Sequence, residues 1–326
     1  MHPAYSVIFL TTLIGVGQGL FLALYTGQVY SLANLLPAQD SQGFYAIGSV
    51  VSLVLLVGGL IASFFHLGHP ERAWRAASKW RTSWLSREVI VLPAFMSLVA
   101  LYALTHYFGL TTPLFTVADT LAVDVTLIIG LLASVLAFVL FLCTAMIYAS
   151  VKFLQEWHCA LTVSNYMLLG IASGFMLAAA FSAYMGIDLV AFFGTWAVIF
   201  TLMALVSRGA SLIRNRRLRH KVSLKSAIGM RHSQMQQKAQ GFMGGSFNTR
   251  EFFHGSSPNR VKLIRYLFLL LVFPLPVLLV GVSHVMESPN LPILAFLSQY
   301  LGLIAERWYF FAEAKHPQNL YYQTVS

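Results

Sequence analysis

His66 and Glu88 are the residues of this 326-residue chain best suited to proton chemistry. His66 closes one long apolar run and Glu88 opens the next. Between them lie Leu67-Gly68-His69-Pro70-Glu71-Arg72-Ala73-Trp74 and Arg81-Thr82-Ser83-Trp84-Leu85-Ser86-Arg87. Two antiparallel helices joined there hold both groups at similar depth. An ionisable group costs about 2.5–3.5 kcal/mol at the centre of a bilayer and less toward its surface, so its presence invites a functional reading. The pair suits quinol/quinone conversion, in which two electrons and two protons pass between a lipid-soluble ring and its surroundings. The ring oxygens need hydrogen-bond partners that also carry protons. An imidazole, titrating at about 6.5 in water, and a carboxylate supply them. A plainer reading stands beside this one: His66 caps a helix end, and Glu88 pairs with Arg87 or Arg72.

The elements that position these residues follow from composition. Hydrophobic residues make up 58% of the chain and charged residues 10%, against about 25% charged in an ordinary soluble domain. So few charges do not coat a water-facing globule, which excludes a soluble enzyme. The apolar residues run on without alternation, which excludes an outer-membrane barrel. A spanning helix needs about 20 apolar residues. Such windows predict an all-α polytopic bundle of eight transmembrane helices, at 5–33, 46–66, 89–110, 121–148, 161–184, 188–207, 262–284 and 290–311. Residues 1–326 read as one integral membrane domain, with a long basic loop at 209–261 between the sixth and seventh spans. Met1 leads directly into the first helix, which reads as a retained span and not as a signal peptide. Pro274 and Pro276 are expected to bend the seventh.

Charge sets the orientation. All 21 Lys and Arg residues fall in the connections after spans 2, 4 and 6 or at the C-terminal end. The opposite connections carry only the acids Asp40, Asp119, Asp124, Asp188 and Glu287. By the excess of positive charge on cytoplasmic loops, both termini and all the basic loops are expected in the cytoplasm. The 209–261 segment reads either as an arm drawn to anionic lipid headgroups or, around Gly244–His254, as a surface that folds against a protein partner. It lacks a base-reading module, so no nucleic-acid role is expected.

Other features carry less. Haem needs two facing histidines at one depth; His106 with His284, or His66 with His158, are the candidates, and no haem is expected. Gly15-Val16-Gly17-Gln18-Gly19 lies within a span and reads as small-residue helix packing, not a nucleotide turn. Gln18 reads as an interhelical hydrogen-bond donor or a ligand contact. Glu306, Arg307, Trp308 and Tyr309 read first as an interfacial anchor with snorkelling charge, and second as part of the His66 site. Cys143 and Cys159 form no C-x-x-C pair; Cys143 reads as a small apolar residue, and no protein metal site is expected. A secondary transporter would show inverted repeats and charged groups at broken midplane helices; only Pro274-Leu275-Pro276 hints at one.

At His66-Leu67-Gly68-His69-Pro70-Glu71-Arg72-Ala73, Ser86-Arg87-Glu88 and Glu306-Arg307-Trp308 the chain resembles the anchor subunit family of dimethyl sulfoxide reductase, over essentially its whole length. The resemblance implies a non-catalytic subunit of a molybdopterin oxidoreductase complex in the bacterial inner membrane. Its partners would be a molybdopterin catalytic subunit and a ferredoxin-like iron–sulfur subunit with four clusters. It would exchange electrons with ubiquinone or menaquinone. The family's quinol-site histidine and glutamate carry over onto His66 and Glu88, with Gln18, Glu306 and Tyr309 as further candidates for the pocket. Arg72, Arg75, Arg81 and Arg250 are expected to dock the iron–sulfur partner. In the respiratory enzyme this hairpin faces the periplasm, whereas the charge map here turns it to the cytoplasm. The Ser246–Gly255 stretch also looks like the longer variant of cytoplasm-facing, quinone-linked sulfite dehydrogenases. A sulfite:quinone type is therefore expected, with a quinol-oxidising dimethyl sulfoxide reductase type as the alternative.

Overall fold

The computed structural model describes residues 4–117, 121–218, 229 and 258–314. The chain enters through α1 (Tyr5–Leu32), and a π-helical turn at Ser41–Ala46 leads into α2 (Ile47–Phe64). A 3-10 segment, Pro70–Lys79, crosses to α3 (Trp84–Tyr107). A small antiparallel hairpin follows, β1 (Phe115–Val117) with β2 (Leu121–Val123), Phe115 standing opposite Val123. Then come α4 (Val125–Ala149), α5 (Ala160–Tyr184), α6 (Val190–Arg217), α7 (Pro258–Val272), α8 (Pro274–Met286) and α9 (Asn290–Glu313).

Local chemistry sets several of these boundaries. Ser83 accepts the amide of Ser86 at 3.3 Å and starts α3, while Asp124 accepts the amide of Leu127 at 2.7 Å and starts α4. Such caps satisfy amides that the first helical turn leaves unpaired. The fourth span was expected from residue 121, but residues 121–123 pair as a strand and the helix begins only past the Asp124 cap. The expected end of the sixth span at 207 is also too early. α6 continues to Arg217, so residues 209–217 of the expected loop are helical. The seventh span behaves as proline chemistry dictates: the helix breaks at Phe273, and α8 restarts with Pro274 in its first turn.

Among the described residues, seven helical segments are long and apolar enough to cross a membrane, the α7–α8 pair counting as one. The expected eighth, α9, has 24 residues like α3 but is not among them. Glu306, Arg307 and Glu313 lie within it and lower its apolarity; the first two are buried by the neighbouring helices.

α1 and α5 form the centre of the bundle, and α2, α4, α6 and α9 pack around them. Small residues bring these two backbones together. A Cβ on Gly19 would fall 2.2 Å from the Gly170 carbonyl oxygen, and one on Gly174 would fall 2.0 Å from the Gly19 carbonyl carbon. The Gly15–Gly19 run is thus a helix-crossing surface, of the kind small residues spaced four apart create. Peripheral helices turn the opposite chemistry outward: Leu131, Leu132, Val135, Phe138 and Leu142 of α4 are all exposed. The chain is a multi-pass membrane protein that exposes large apolar side chains along the flank of its bundle.

The antiparallel course gathers the start of α1, the end of α2, the start of α3, the end of α4, the start of α5 and the ends of α6 and α9 at one pole. Ile8, Leu154, Trp157, Tyr166 and Phe310 pack together there. This is the basic pole. Asp40, Asp124, Asp188 and Glu287 mark the acidic pole opposite.

Candidate functional site

In the basic half of the bundle, α1, α3, α4, α5 and α9 converge on a cavity of about 20 Å³, room for a single water. Gln18, Glu88, Thr144, Tyr166, Ser173 and Arg307 supply its polar wall; Ile14, Phe141, Leu169 and Leu303 supply apolar lining. Glu88 is buried and accepts a short hydrogen bond from the Thr144 hydroxyl of α4. It pairs with neither Arg87 nor Arg72. Arg87 instead donates to the carbonyls of Trp80 and Arg81 and lies over the Trp84 ring, and Arg72 pairs with Glu71. Gln18 donates to the Ala137 carbonyl at 3.0 Å, an interhelical hydrogen bond, and also lines the cavity.

His66 stands apart from this cavity. It follows the end of α2 in an exposed turn, its amide bonded to the Ser63 carbonyl. Displacement of water by the neighbouring chain holds its imidazole below the ordinary value of 6.5. The structure therefore brings Gln18 and Glu88 to one cavity and leaves His66 at the surface of the same pole.

The expected interfacial anchor of α9 is something else. Glu306 and Arg307 are not snorkelling toward water; both are buried, Glu306 completely. Glu306 pairs with Arg208 of α6 at 2.8 Å and with Arg307 at 3.0 Å. Arg208, also buried, reaches Glu313 at 3.8 Å. The Arg307 guanidinium sits 3.7 Å from the Tyr166 ring centre, so stacking and charge together fix it at the cavity wall. Two guanidiniums meet two carboxylates, which is the condition for burying such charges at all. Tyr309 packs against Phe268 and is not a lining residue. Arg307 lines the cavity, in line with its second reading, whereas Arg208, Tyr166 and Thr144 were missed as site residues. Opposite charges within two apolar helices are a signal for pairing that could have joined Arg208 to Glu306 had the sixth span been read past residue 207; nothing in the spacing pointed to Thr144.

The histidine pairs considered for haem lie in different surroundings. His106 shares a 2.6 Å hydrogen bond with Ser41 and packs against Tyr45 and Tyr102, whereas His284 bonds the Val280 carbonyl beside Gly194 of α6. His158 bonds the Ala149 carbonyl and caps the end of α4. Cys143 is buried. Among the described residues, no group of three or more His, Cys, Asp or Glu side chains is placed to hold a metal ion.

On the basic pole outside the bundle, Pro70–Lys79 carries no buried residue. Arg75 lies over Trp74 and Arg81 over Trp80, forming an exposed aromatic and cationic band with Arg72. Arg250 and most of the 209–261 segment lie outside the described residues.

Two comparisons bear on this arrangement. The family model described as DMSO reductase anchor subunit (DmsC) matches residues 1–312. A sulfite dehydrogenase subunit of Allochromatium vinosum is 64% identical over 326 residues, covering the whole of both chains.

Proposed function

The chain belongs to the DMSO reductase anchor subunit family, and we propose that it is the quinone-linked membrane subunit of a sulfite-oxidising molybdopterin complex. Identity of 64% along its full length to a sulfite dehydrogenase subunit supports the sulfite type. The basic pole is the cytoplasmic face of the bacterial inner membrane, as the sorting of positive charge favours. There the Arg72, Arg75 and Arg81 band, with Arg250, docks an iron–sulfur subunit that carries electrons from the molybdopterin subunit. A cationic surface selects an acidic partner and makes its association sensitive to salt.

One observation carries the site assignment: Glu88 is buried, oriented by Thr144 and open to a polar cavity at the pole where the partner docks. The side chains fit the chemistry of a quinone, since a carboxyl, an imidazole and an amide can bond its oxygens and move its protons. The space does not admit the ring, because about 20 Å³ holds a water and no more. The cavity therefore serves the proton and not the ring. A quinone held outside it at this pole would take a hydrogen bond from His66 at one ring oxygen, with Glu88 as the group that would exchange a proton with the cavity. When bound, ubiquinone or menaquinone supplies the two-electron acceptor.

The test is His66→Ala and Glu88→Gln in the assembled complex. Both variants are expected to keep sulfite oxidation with a soluble dye and to lose quinone-linked turnover by about a hundredfold or more, the contribution of a positioned proton carrier. Full quinone-linked turnover in both removes the assignment.

A further inference from the structure

The two ends of the Glu88 cavity differ. Toward the basic pole polar groups are continuous: Arg307 of the cavity wall pairs with Glu306, Glu306 with Arg208, and Arg208 with Glu313. Glu313 is 14% exposed and bonds Asn215 near the end of α6, so this chain of charges reaches water. Toward the acidic pole the packing is apolar. Phe21, Phe95, Val99, Ala137 and Leu140 are all fully buried, and the Phe21 ring meets Phe95 and Tyr102 edge-on at 5.7 and 5.2 Å. Beyond this plug lies a separate polar cluster, in which Tyr102 donates to Gln28, Gln28 to Thr126 and Thr126 to Asp124. Gln18 and Gln28 are ten residues apart on α1, about 15 Å along the helix.

We infer that the cavity exchanges protons with the basic pole alone, through water bonded along the Arg307–Glu306–Arg208–Glu313 chain, and that the subunit moves no charge across the membrane. Glu313 is the carboxyl where protons enter. Glu306 holds the two guanidiniums in place and keeps the passage polar enough for water between Glu313 and the Glu88 cavity. The inference rests on the quinone reading of Glu88. A quinone reduced to a quinol takes up two electrons from the partner's iron–sulfur carrier and two protons from water. Electrons arrive at the basic pole, where the partner docks, and the protons enter from that same face. No net charge then crosses the apolar plug.

The experiment uses the whole complex reconstituted in lipid vesicles, with sulfite as donor and a short-chain ubiquinone as acceptor. A voltage-sensitive dye should report no potential above that of an ionophore-treated control during turnover. Glu313→Gln should retain dye-linked sulfite oxidation, lower quinone-linked turnover by up to about a hundredfold and raise its solvent deuterium isotope effect. Added acetate should restore turnover in Glu313→Ala, which a purely structural defect would not allow. A sustained potential overturns the inference, and so does a Glu313→Gln complex with unchanged turnover and isotope effect. The potential is measured on the native complex and decides the question even if the variants fail to assemble. Full quinone-linked turnover in Glu88→Gln marks failure of the site reading itself; its loss beside an unaffected Glu313→Gln marks failure of the route alone.

Discussion

Replacing Thr144 by valine removes one hydroxyl and keeps the branched shape of the side chain. The hydroxyl is buried between α3 and α4 and donates to Oε1 of Glu88. Leaving a buried acceptor unsatisfied costs about 1–3 kcal/mol. If the bonded orientation of Glu88 is the one that transfers the proton, that loss falls on the barrier. At about 1.4 kcal/mol per decade it corresponds to roughly a five- to hundredfold fall in quinone-linked turnover. The assay compares turnover with a quinone and with a soluble dye on the same purified complex. Thr144→Val is expected to lose the first and keep the second, and Thr144→Ser, which retains the donor, is expected to recover most of the loss. Equal defects in the valine and serine variants would trace the effect to packing. Full quinone-linked turnover in the valine variant would show that the hydrogen bond does not serve the reaction.

The α1–α5 crossing gives a structural counterpart. A Cβ on residue 174 would lie 2.0 Å from the Gly19 carbonyl carbon, where ordinary contacts are 3.4–4 Å. Gly174→Ala must therefore push the backbones of α1 and α5 away from each other. It is expected to destabilise the protein by about 3 kcal/mol, read as a lower unfolding temperature in detergent. Native stability would mean that the two helices do not pack this closely. Glu306→Gln leaves Arg208 and Arg307 buried without their shared carboxylate, a loss of about 3–5 kcal/mol. A thermal shift no larger than that of a surface substitution would count against the buried network. His66 titrates below its ordinary 6.5 and so is neutral at pH 7, gaining a proton only as the solution becomes more acidic. Quinone-linked turnover is expected to hold down to about that ordinary value and to fall below it. The residual activity of His66→Asn should lack this acid limb, and a limb that persists belongs to another group.

The amino-acid sequence by itself determined the order and approximate positions of the helices, the interruption of the seventh span at Pro274 and the sorting of positive charge to one pole. These are local properties: the length of an apolar run, a missing amide, the placing of charge between apolar runs. The separation of His66 from the cavity, the pairing of Arg208 with Glu306 and the bond from Thr144 to Glu88 were decided only by the tertiary structure. Each depends on how a helix is rotated about its axis. In a soluble helix, polar residues on the outer face reveal that rotation. Here α4 shows leucine, valine and phenylalanine to the lipid and alanine, leucine and phenylalanine to the core, so periodicity carries little of the signal. What faces inward was fixed instead by small residues such as Gly19 and Gly174, which let α1 and α5 approach, and by the need of each buried charge for a partner.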